Sequence, residues 1–140
     1  MELAYAFLAR AAQFSEGGLG IFGADIQSLE GALPLRADAL VLVAKVEFLP
    51  EECGRAYVFV VRVTSPEGET SDGGEPLEFT PPGPGELDKL AAILLVDLAE
   101  TVFSVEGPYT ITLLVDGRPL KALKLAIFAD QGVVEGAATA

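Results

Sequence analysis

The sequence contains no histidine and no tryptophan, and it has only one cysteine and one methionine. Without histidine, the chain lacks the commonest general base of enzymes and the commonest protein ligand of transition metals. The single cysteine, Cys53, excludes an intramolecular disulfide. Glu51 and Glu52 beside it oppose thiolate formation, so a nucleophilic role for Cys53 is disfavoured. We therefore predict that the protein is not an enzyme and has no catalytic residues, no cofactor and no metal ligands.

Basic residues are also scarce, since 9 lysines and arginines stand against 21 aspartates and glutamates and give a net charge of −12. Such a surface repels phosphate backbones and anionic lipids, so we expect neither nucleic-acid nor membrane binding. No stretch reaches the ~18 apolar residues of a membrane span. Because Glu2 and Arg10 do not suit a secretion signal, we expect a cytoplasmic location. The scarcity of cysteine and methionine is typical of thermophilic sources, and a GC-rich genome gives the same bias.

The composition favours a small domain with many turns. The chain has 140 residues, 51% of them hydrophobic, and its 15 glycines and 9 prolines indicate turns rather than long helices. A chain of this size buries roughly two-thirds of its unfolded surface as one domain. We predict a single domain over residues 1–130. Residues 131–140 are small and polar without a pattern, and we expect a flexible C-terminal tail there.

The clearest element is a β-hairpin over residues 105–128. Apolar and polar residues alternate on both sides of Asp116-Gly117, a dipeptide that tolerates the positive φ of a tight turn. A hairpin with one apolar face needs a partner layer, which the earlier strands must supply, so we predict an antiparallel sandwich. The apolar positions are Tyr109, Ile111, Leu113 and Val115 before the turn, and Leu123, Leu125 and Ile127 after it.

Strand patterns recur along the rest of the chain. Two segments, 1–14 and 88–103, fit both a helical stripe and strand alternation. We predict strands for both because of the neighbouring hairpins, and a helix stays the alternative for 88–103. The total is about eight strands, at the regular spacing of a β-sandwich. The remaining predicted strands are 20–29, 39–49, 55–64 and 77–80, and in 55–64 one face is shared by Tyr57, Phe59, Val61 and Val63.

Three motifs near the C-terminus resemble the last strands of immunoglobulin-like sandwiches. VDLAETVF at 96–103, GPYTI at 107–111 and VDG at 115–117 are similar to strands E, F and G of that fold. Gly107-Pro108-Tyr109 occupies the place of the tyrosine corner. Ile111 stands where antibody domains have cysteine, which excludes the antibody branch. The resemblance implies an all-β, immunoglobulin-like antiparallel β-sandwich.

The whole chain, over residues 4–127, also resembles a family of small bacterial β-sandwich proteins known only as a domain of unknown function. The similar features are AYAFLARAAQF, GIFGADI, Leu33-Pro34, VEFLPEECGRAYVFVVRVTSPEGE and GPYTITLLVDG. This resemblance implies the fold and assigns no activity.

An acidic region at 67–86 is the one place where the sequence suggests chemistry. Its spacing partly matches a calcium loop, although Asp72 occupies the position that requires glycine and no helices flank the segment. We keep a cation-binding protein or a carboxylate-based hydrolase, with 67–86 as its loop, as the alternative function. The acidic or polar positions concerned are Glu67, Glu69, Ser71, Glu75 and Glu78.

Protein association is the preferred function. Sugar-binding sandwiches stack their ligand on exposed aromatic residues, whereas Tyr5, Tyr57 and Tyr109 all fall on predicted strands or the corner. Few charges occur on the strands at 39–46 and 91–96 or beyond Lys124. These strands are either interior or form an apolar edge or face that another chain covers. We predict a non-enzymatic protein-interaction or assembly module, with a protein partner or as a homo-oligomer.

Overall fold

The computed structural model describes residues 1–83 and 90–130, and in this part of the chain the regular structure is almost entirely β. It contains no α-helix there, and one short 3₁₀ turn at Pro50–Glu52 joins two strands. The predicted C-terminal tail at 131–140 lies outside the described residues. The strands are β1 (Glu2–Ser15), β2 (Gly18–Ala24), β3 (Ser28–Gly31), β4 (Leu35–Arg36), β5 (Val41–Phe48), β6 (Tyr57–Thr64), β7 (Thr70–Phe79), β8 (Leu90–Asp97), β9 (Val102–Phe103), β10 (Gly107–Val115) and β11 (Arg118–Ala129).

Two sheets stack face to face. The first has the order β2-β1-β5-β8, and the second has the order β3-β11-β10-β6-β7. The two-residue strands β4 and β9 form a small ladder of their own. Neighbouring strands are antiparallel except β3 and β11, which run parallel. The fold is an all-β, immunoglobulin-like sandwich, as predicted, with this one parallel pair as the departure from an antiparallel arrangement.

The core lies between the two sheets and is built from alternate residues of each strand. In β6, Tyr57, Phe59, Val61 and Val63 are all buried, and they face the second sheet's interior side as their spacing predicted. The hairpin of β10 and β11 contributes its predicted apolar face, with Leu123 only partly buried at the margin. The first sheet contributes residues of β5 and β8 to the same core, chiefly Leu42, Ala44, Val46, Phe48, Leu94 and Val96.

The first ambiguous segment is a strand. The second is a strand over Leu90–Asp97, followed by a turn and by the separate two-residue strand β9. The first forms β1 and the second forms β8, and β5 lies between the two, hydrogen-bonded to each. The predicted strand at 20–29, in contrast, is two strands in different sheets. Asp25 has a φ of 60°, and this turn directs the chain from β2 in the first sheet to β3 in the second. The alternation of apolar and polar residues does not show where a non-glycine residue has a positive φ, so it does not predict this turn.

The loop predicted for 67–76 is wrong from residue 70 onward, whereas the short strand predicted at 77–80 is confirmed over 77–79. Residues Thr70–Phe79 form β7, which pairs with β6 from Thr64 to Tyr57. The local sequence is rich in glycine and acidic residues, so propensity disfavours a strand, and pairing with β6 overrides it. Residues 84–86 of this segment lie outside the described residues.

Two side chains fix how the closing hairpin meets the rest of the sandwich. The Tyr109 hydroxyl donates to the Val105 carbonyl oxygen at 2.8 Å and accepts from the Val105 amide at 3.2 Å, which forms the predicted corner. At the other end, Asp116 has a φ of 49° and accepts from the Val58 amide at 3.0 Å and from Arg55 at 2.5 Å. The hydrogen bond from the Val58 amide is the main cause that lowers the pKa of Asp116, and Arg55 adds to it although partial burial opposes it.

We expect Tyr109→Phe to lower the free energy of unfolding by about 1–3 kcal/mol, because it leaves two backbone groups of Val105 without their partner. Equilibrium urea denaturation measures the loss. Tyr5→Phe is the matched control, since Tyr5 is 37% exposed and its hydroxyl has no hydrogen bond to a described residue. The control should change stability by less than about 0.5 kcal/mol. Equal effects of the two substitutions would contradict the role of the corner.

We expect Asp116→Asn to lower the thermal midpoint at neutral pH, because asparagine loses the charge that Arg55 pairs with. The native pKa of Asp116 is lowered, so its stabilisation is present above the ordinary value of about 3.9 and is lost as the pH falls through the native pKa. The difference between the two midpoints should therefore shrink below about pH 4. Thermal scans of both proteins from neutral to acidic pH measure this difference. A difference that stays constant with pH would contradict the stabilising role of the Asp116 charge.

Candidate functional site

Three apolar segments were predicted to be either interior strands or an exposed edge or face, and one of them lies at an edge. The segment at 39–46 forms β5, which is hydrogen-bonded on both sides, and the final strand β11 lies between β10 and β3. The segment at 91–96 belongs to β8, an edge strand. The other two strands, β5 and β11, are therefore interior. Strand order, and not composition, decides which strand is last in a sheet.

Three of the four strands that come last in a sheet are protected against pairing with another chain. The side of β11 that β3 leaves uncovered, before Ala126, carries Arg118, Lys121 and Lys124. The β7 edge carries Asp72, Glu75 and Glu78 together with Pro76, and charges and proline both discourage an added strand. The β8 edge lies against β7, since a Cβ atom built on Gly74 would be 2.5 Å from the Asp97 carbonyl oxygen. The β3 edge is only four residues long.

The fourth edge, β2, has no such charges and no proline, and the positive φ of Gly18 and Gly23 confines its regular part to residues 19–22. Its sequence is GLGIFGA, and six of its seven residues are exposed. Sequence reasoning assigned this segment to a strand but did not identify it as an edge. The lack of charge in GLGIFGA was visible in the sequence. It indicates an unprotected edge only when the strand order is known.

The hairpin of β1 and β2 extends beyond the sheet. β1 pairs with β5 from Glu2 to Ala9 and with β2 from Ala9 to Ser15, so the second half of β1 has β2 as its one neighbouring strand. We call residues 10–24 the arm. Its tip is a turn in which the Ser15 hydroxyl donates to the Gly18 carbonyl oxygen at 3.1 Å.

The arm presents large apolar side chains to solvent. Phe22 is 70% exposed, Phe14 is 61% exposed and Ile21 is 41% exposed. Within residues 11–24 the one charged side chain is Glu16, at the tip. A two-stranded hairpin that buries little apolar surface is marginally stable in water. Contact with another apolar surface would therefore stabilise the arm.

An apolar area on the outer side of the first sheet adjoins the arm. Ala9, Val41 and Val43 are buried there, although they point away from the core between the sheets. The stacked rings of Tyr5 and Phe7, with centroids 5.7 Å apart, continue this area. We call it the outer face, and the half-buried residues packed around its centre are Phe7, Ala12, Leu19, Ile93 and Leu95.

The acidic residues of the predicted loop do not converge on a site. Glu67 and Glu69 lie in the turn before β7, where their amides both donate to the Ser65 hydroxyl at 3.2 and 3.1 Å. Glu75 and Glu78 lie on β7 itself. In residues 1–83 and 90–130, no three side chains of histidine, cysteine, aspartate or glutamate form a group that could hold a metal ion.

Cys53 is partly buried after the 3₁₀ turn, and its thiol lies 3.5 Å from the Leu49 carbonyl oxygen. The neighbouring Glu52 carboxylate is held by the N-terminal ammonium of Met1 and by the Leu49 amide at 2.8 Å. Burial opposes ionisation of Glu52, yet these two partners lower its pKa overall. Glu52 thus has a structural role at this corner of the sandwich.

Comparison with known proteins gives a family. Residues 4–128 match a family of unknown function, DUF6941. No curated protein matches the chain. Among solved structures, an immunoglobulin-like protein of Pseudomonas aeruginosa is similar, with a TM-score of 0.31 and 11% identity over 89% of this chain and 97% of that chain. The predicted membership of an uncharacterised family is confirmed, and a bacterial source stays a prediction. Over the described residues, no helix has the length and apolarity to cross a membrane.

We expect calcium in millimolar excess to leave the thermal midpoint of the protein unchanged within about 1 °C, because a cation that binds the native state raises it by mass action. The acidic residues of β7 are spread along a strand, and among the described residues they do not form a group that could hold a metal ion. Differential scanning fluorimetry of chelator-treated protein measures the midpoint. Magnesium at the same ionic strength is the control for charge screening. A rise that increases with calcium concentration and not with magnesium would contradict this expectation.

Proposed function

The chain belongs to DUF6941, a family of unknown function, and we propose that it is a non-enzymatic protein-interaction or assembly module that binds through the arm and the outer face. The observation that carries this proposal is the exposure of Phe14, Ile21 and Phe22 on the arm, where residues 11–24 contain one charged side chain, Glu16. Large exposed apolar patches on soluble proteins are typical of interaction sites.

The chemistry of this surface favours a protein as the partner. The free edge of β2 offers backbone amides and carbonyls, which an added strand can pair with directly. Apolar side chains flank that edge, so a partner gains burial as well as hydrogen bonds. A net charge of −12 disfavours nucleic acid and anionic membranes as partners.

The proposal of a non-enzymatic role rests on the residue types at hand. The chain has no histidine, and its single thiol is next to a carboxylate that is already engaged. We place the module in the cytoplasm, since an unpaired cysteine is typical of reducing compartments.

Site-specific photo-cross-linking in the source cells tests the proposed function. We expect a benzophenone amino acid at position 22 to give light-dependent protein adducts, because Phe22 is the most exposed aromatic residue of the arm. Position 128 is the matched control, since Phe128 is 53% exposed on β11 of the other sheet. Mass spectrometry identifies the attached protein, whether another copy or a different chain. No adduct at position 22, or the same adducts from position 128, would overturn the proposal.

A further inference from the structure

We propose that the uncovered side of β11, at residues 118–125, binds an extended acidic segment of another protein, which adds to the second sheet as a further strand beside β11. The inference goes beyond the proposed function, because this surface belongs to the other sheet and does not include the arm. Three features carry it: a row of unpaired backbone groups, an apolar cleft behind that row, and a cluster of basic side chains along it.

The backbone of β11 has no described strand beside it on this side. β3 pairs with β11 from Ala126 to Ala129, and before Ala126 the order of the second sheet places no other described strand beyond β11. The Ala126 amide donates to the Gln27 carbonyl oxygen at 3.0 Å, so it points away from β10. Because backbone direction alternates along a strand, the amides and carbonyls of Ala122 and Lys124 point the same way. An added strand can therefore pair with them.

An apolar cleft between the two sheets lies behind this row. The Ile26 amide donates to the Leu8 carbonyl oxygen of β1 at 2.8 Å, so residues 25–27 cross from the first sheet to the second and close one end of the cleft. A cavity of about 350 Å³ lies at this end, with Leu8, Leu123 and Leu125 in its lining. Leu123 is only half-buried, so apolar side chains of an added strand would gain burial against it.

The uncovered part of β11 is basic, although the protein as a whole is acidic. Three of the chain's nine lysines and arginines lie within seven residues of this strand, and no aspartate or glutamate stands among them. Arg118 attracts the nearby carboxylates of Asp116 and Glu52. Lys121 and Lys124 form no ion pair with a described residue, so their charges can attract a partner.

The two lysines stand on opposite faces of the sheet. Lys124 lies across from Thr110 on the outer face and donates to its hydroxyl at 2.9 Å. Lys121 lies across from the buried Leu113, and it shares the inner face with Leu123. Side chains of an added strand alternate between the same two faces. The strand that fits best therefore carries acidic residues beside the lysines and apolar residues beside the leucines.

The lysines also determine which strands are rejected. On an exposed edge they discourage a neutral or basic strand, and they attract an acidic one. The acidic strand β7 of a second copy is a poor occupant, because Pro76 has no amide to donate and Gly74 has a φ of 69°, which interrupts a regular ladder. Asp25 lies at the closed end of the cleft, so the acidic residues of the partner are expected beside the lysines instead.

Fluorescence anisotropy with two labelled ten-residue peptides tests this inference on the full chain. One peptide alternates valine and glutamate, and the other has the same composition with all glutamates before all valines. We expect the alternating peptide to bind with a dissociation constant between about 10 μM and about 1 mM, and the block peptide at least about tenfold more weakly.

A charge reversal on β11 supplies the matched test. Lys124→Glu should weaken binding of the alternating peptide at least about tenfold, because it places like charges opposite each other. Arg62→Glu is the control, since Arg62 is exposed on the outer face of the same sheet, two strands away, and it should change the dissociation constant by less than about twofold. Because Lys124 is exposed, Lys124→Glu should keep its thermal midpoint within about 2 °C.

Hydrogen exchange locates the contact. The amides of Ala122 and Lys124 should exchange at least about tenfold more slowly with saturating alternating peptide, whereas those of Gly18–Ala24 should not change. Equal affinity for both peptides, no binding up to about 1 mM, or binding that Lys124→Glu leaves intact overturns the inference. Protection at Gly18–Ala24 instead would place the peptide on the arm, which refutes this site and leaves the proposed function standing. Self-association that Lys124→Glu abolishes would make the occupant a second copy and refute a different protein as partner.

Discussion

Burial of β5 on both of its faces is the constraint on which the rest of the structure depends. Its inward residues, among them Leu42, Ala44 and Phe48, are completely buried against the second sheet, and its outward residue Val43 is completely buried as well. An antiparallel sheet in a sandwich commonly leaves one face to water. Here the outer side of β5 is itself apolar, and the neighbouring strands β1 and β8 must carry the side chains that cover it.

That requirement accounts for the character of the first sheet. Phe7 from β1 and Ile93 and Leu95 from β8 stand on either side of Val43 and are only half-buried, since nothing from the described residues lies over them. The outer face therefore has a buried centre and a margin of half-buried apolar side chains. β1 then continues past the start of β5 and forms the arm, so the apolar margin adjoins it. Phe14 pairs with Leu19 and Phe22 pairs with Ala11, which places the two phenylalanines on opposite faces of the arm.

The alternation of single strands was readable from the sequence, and the relation between strands was not. Tyr109 and Asp116-Gly117 predicted the closing hairpin correctly, because the tyrosine hydroxyl bonds to the nearby backbone at the corner and the Asp-Gly pair adopts the positive φ of a tight turn. The first seven residues of β7, 70–76, were missed because Gly73 and Gly74 signal a loop, while the pairing partner β6 lies in another part of the chain. The same limitation hid the candidate site. GLGIFGA is visibly uncharged, but its position at an edge follows from a strand order that no local pattern contains.

The two-part ladder of β1 has a mechanical consequence. A partner that holds the arm pulls along a strand whose other half is paired with β5 from Glu2 to Ala9. A force in that direction loads the hydrogen bonds of the ladder together, in shear, rather than opening them one after another. Tension applied through the arm would thus be carried into the centre of the first sheet.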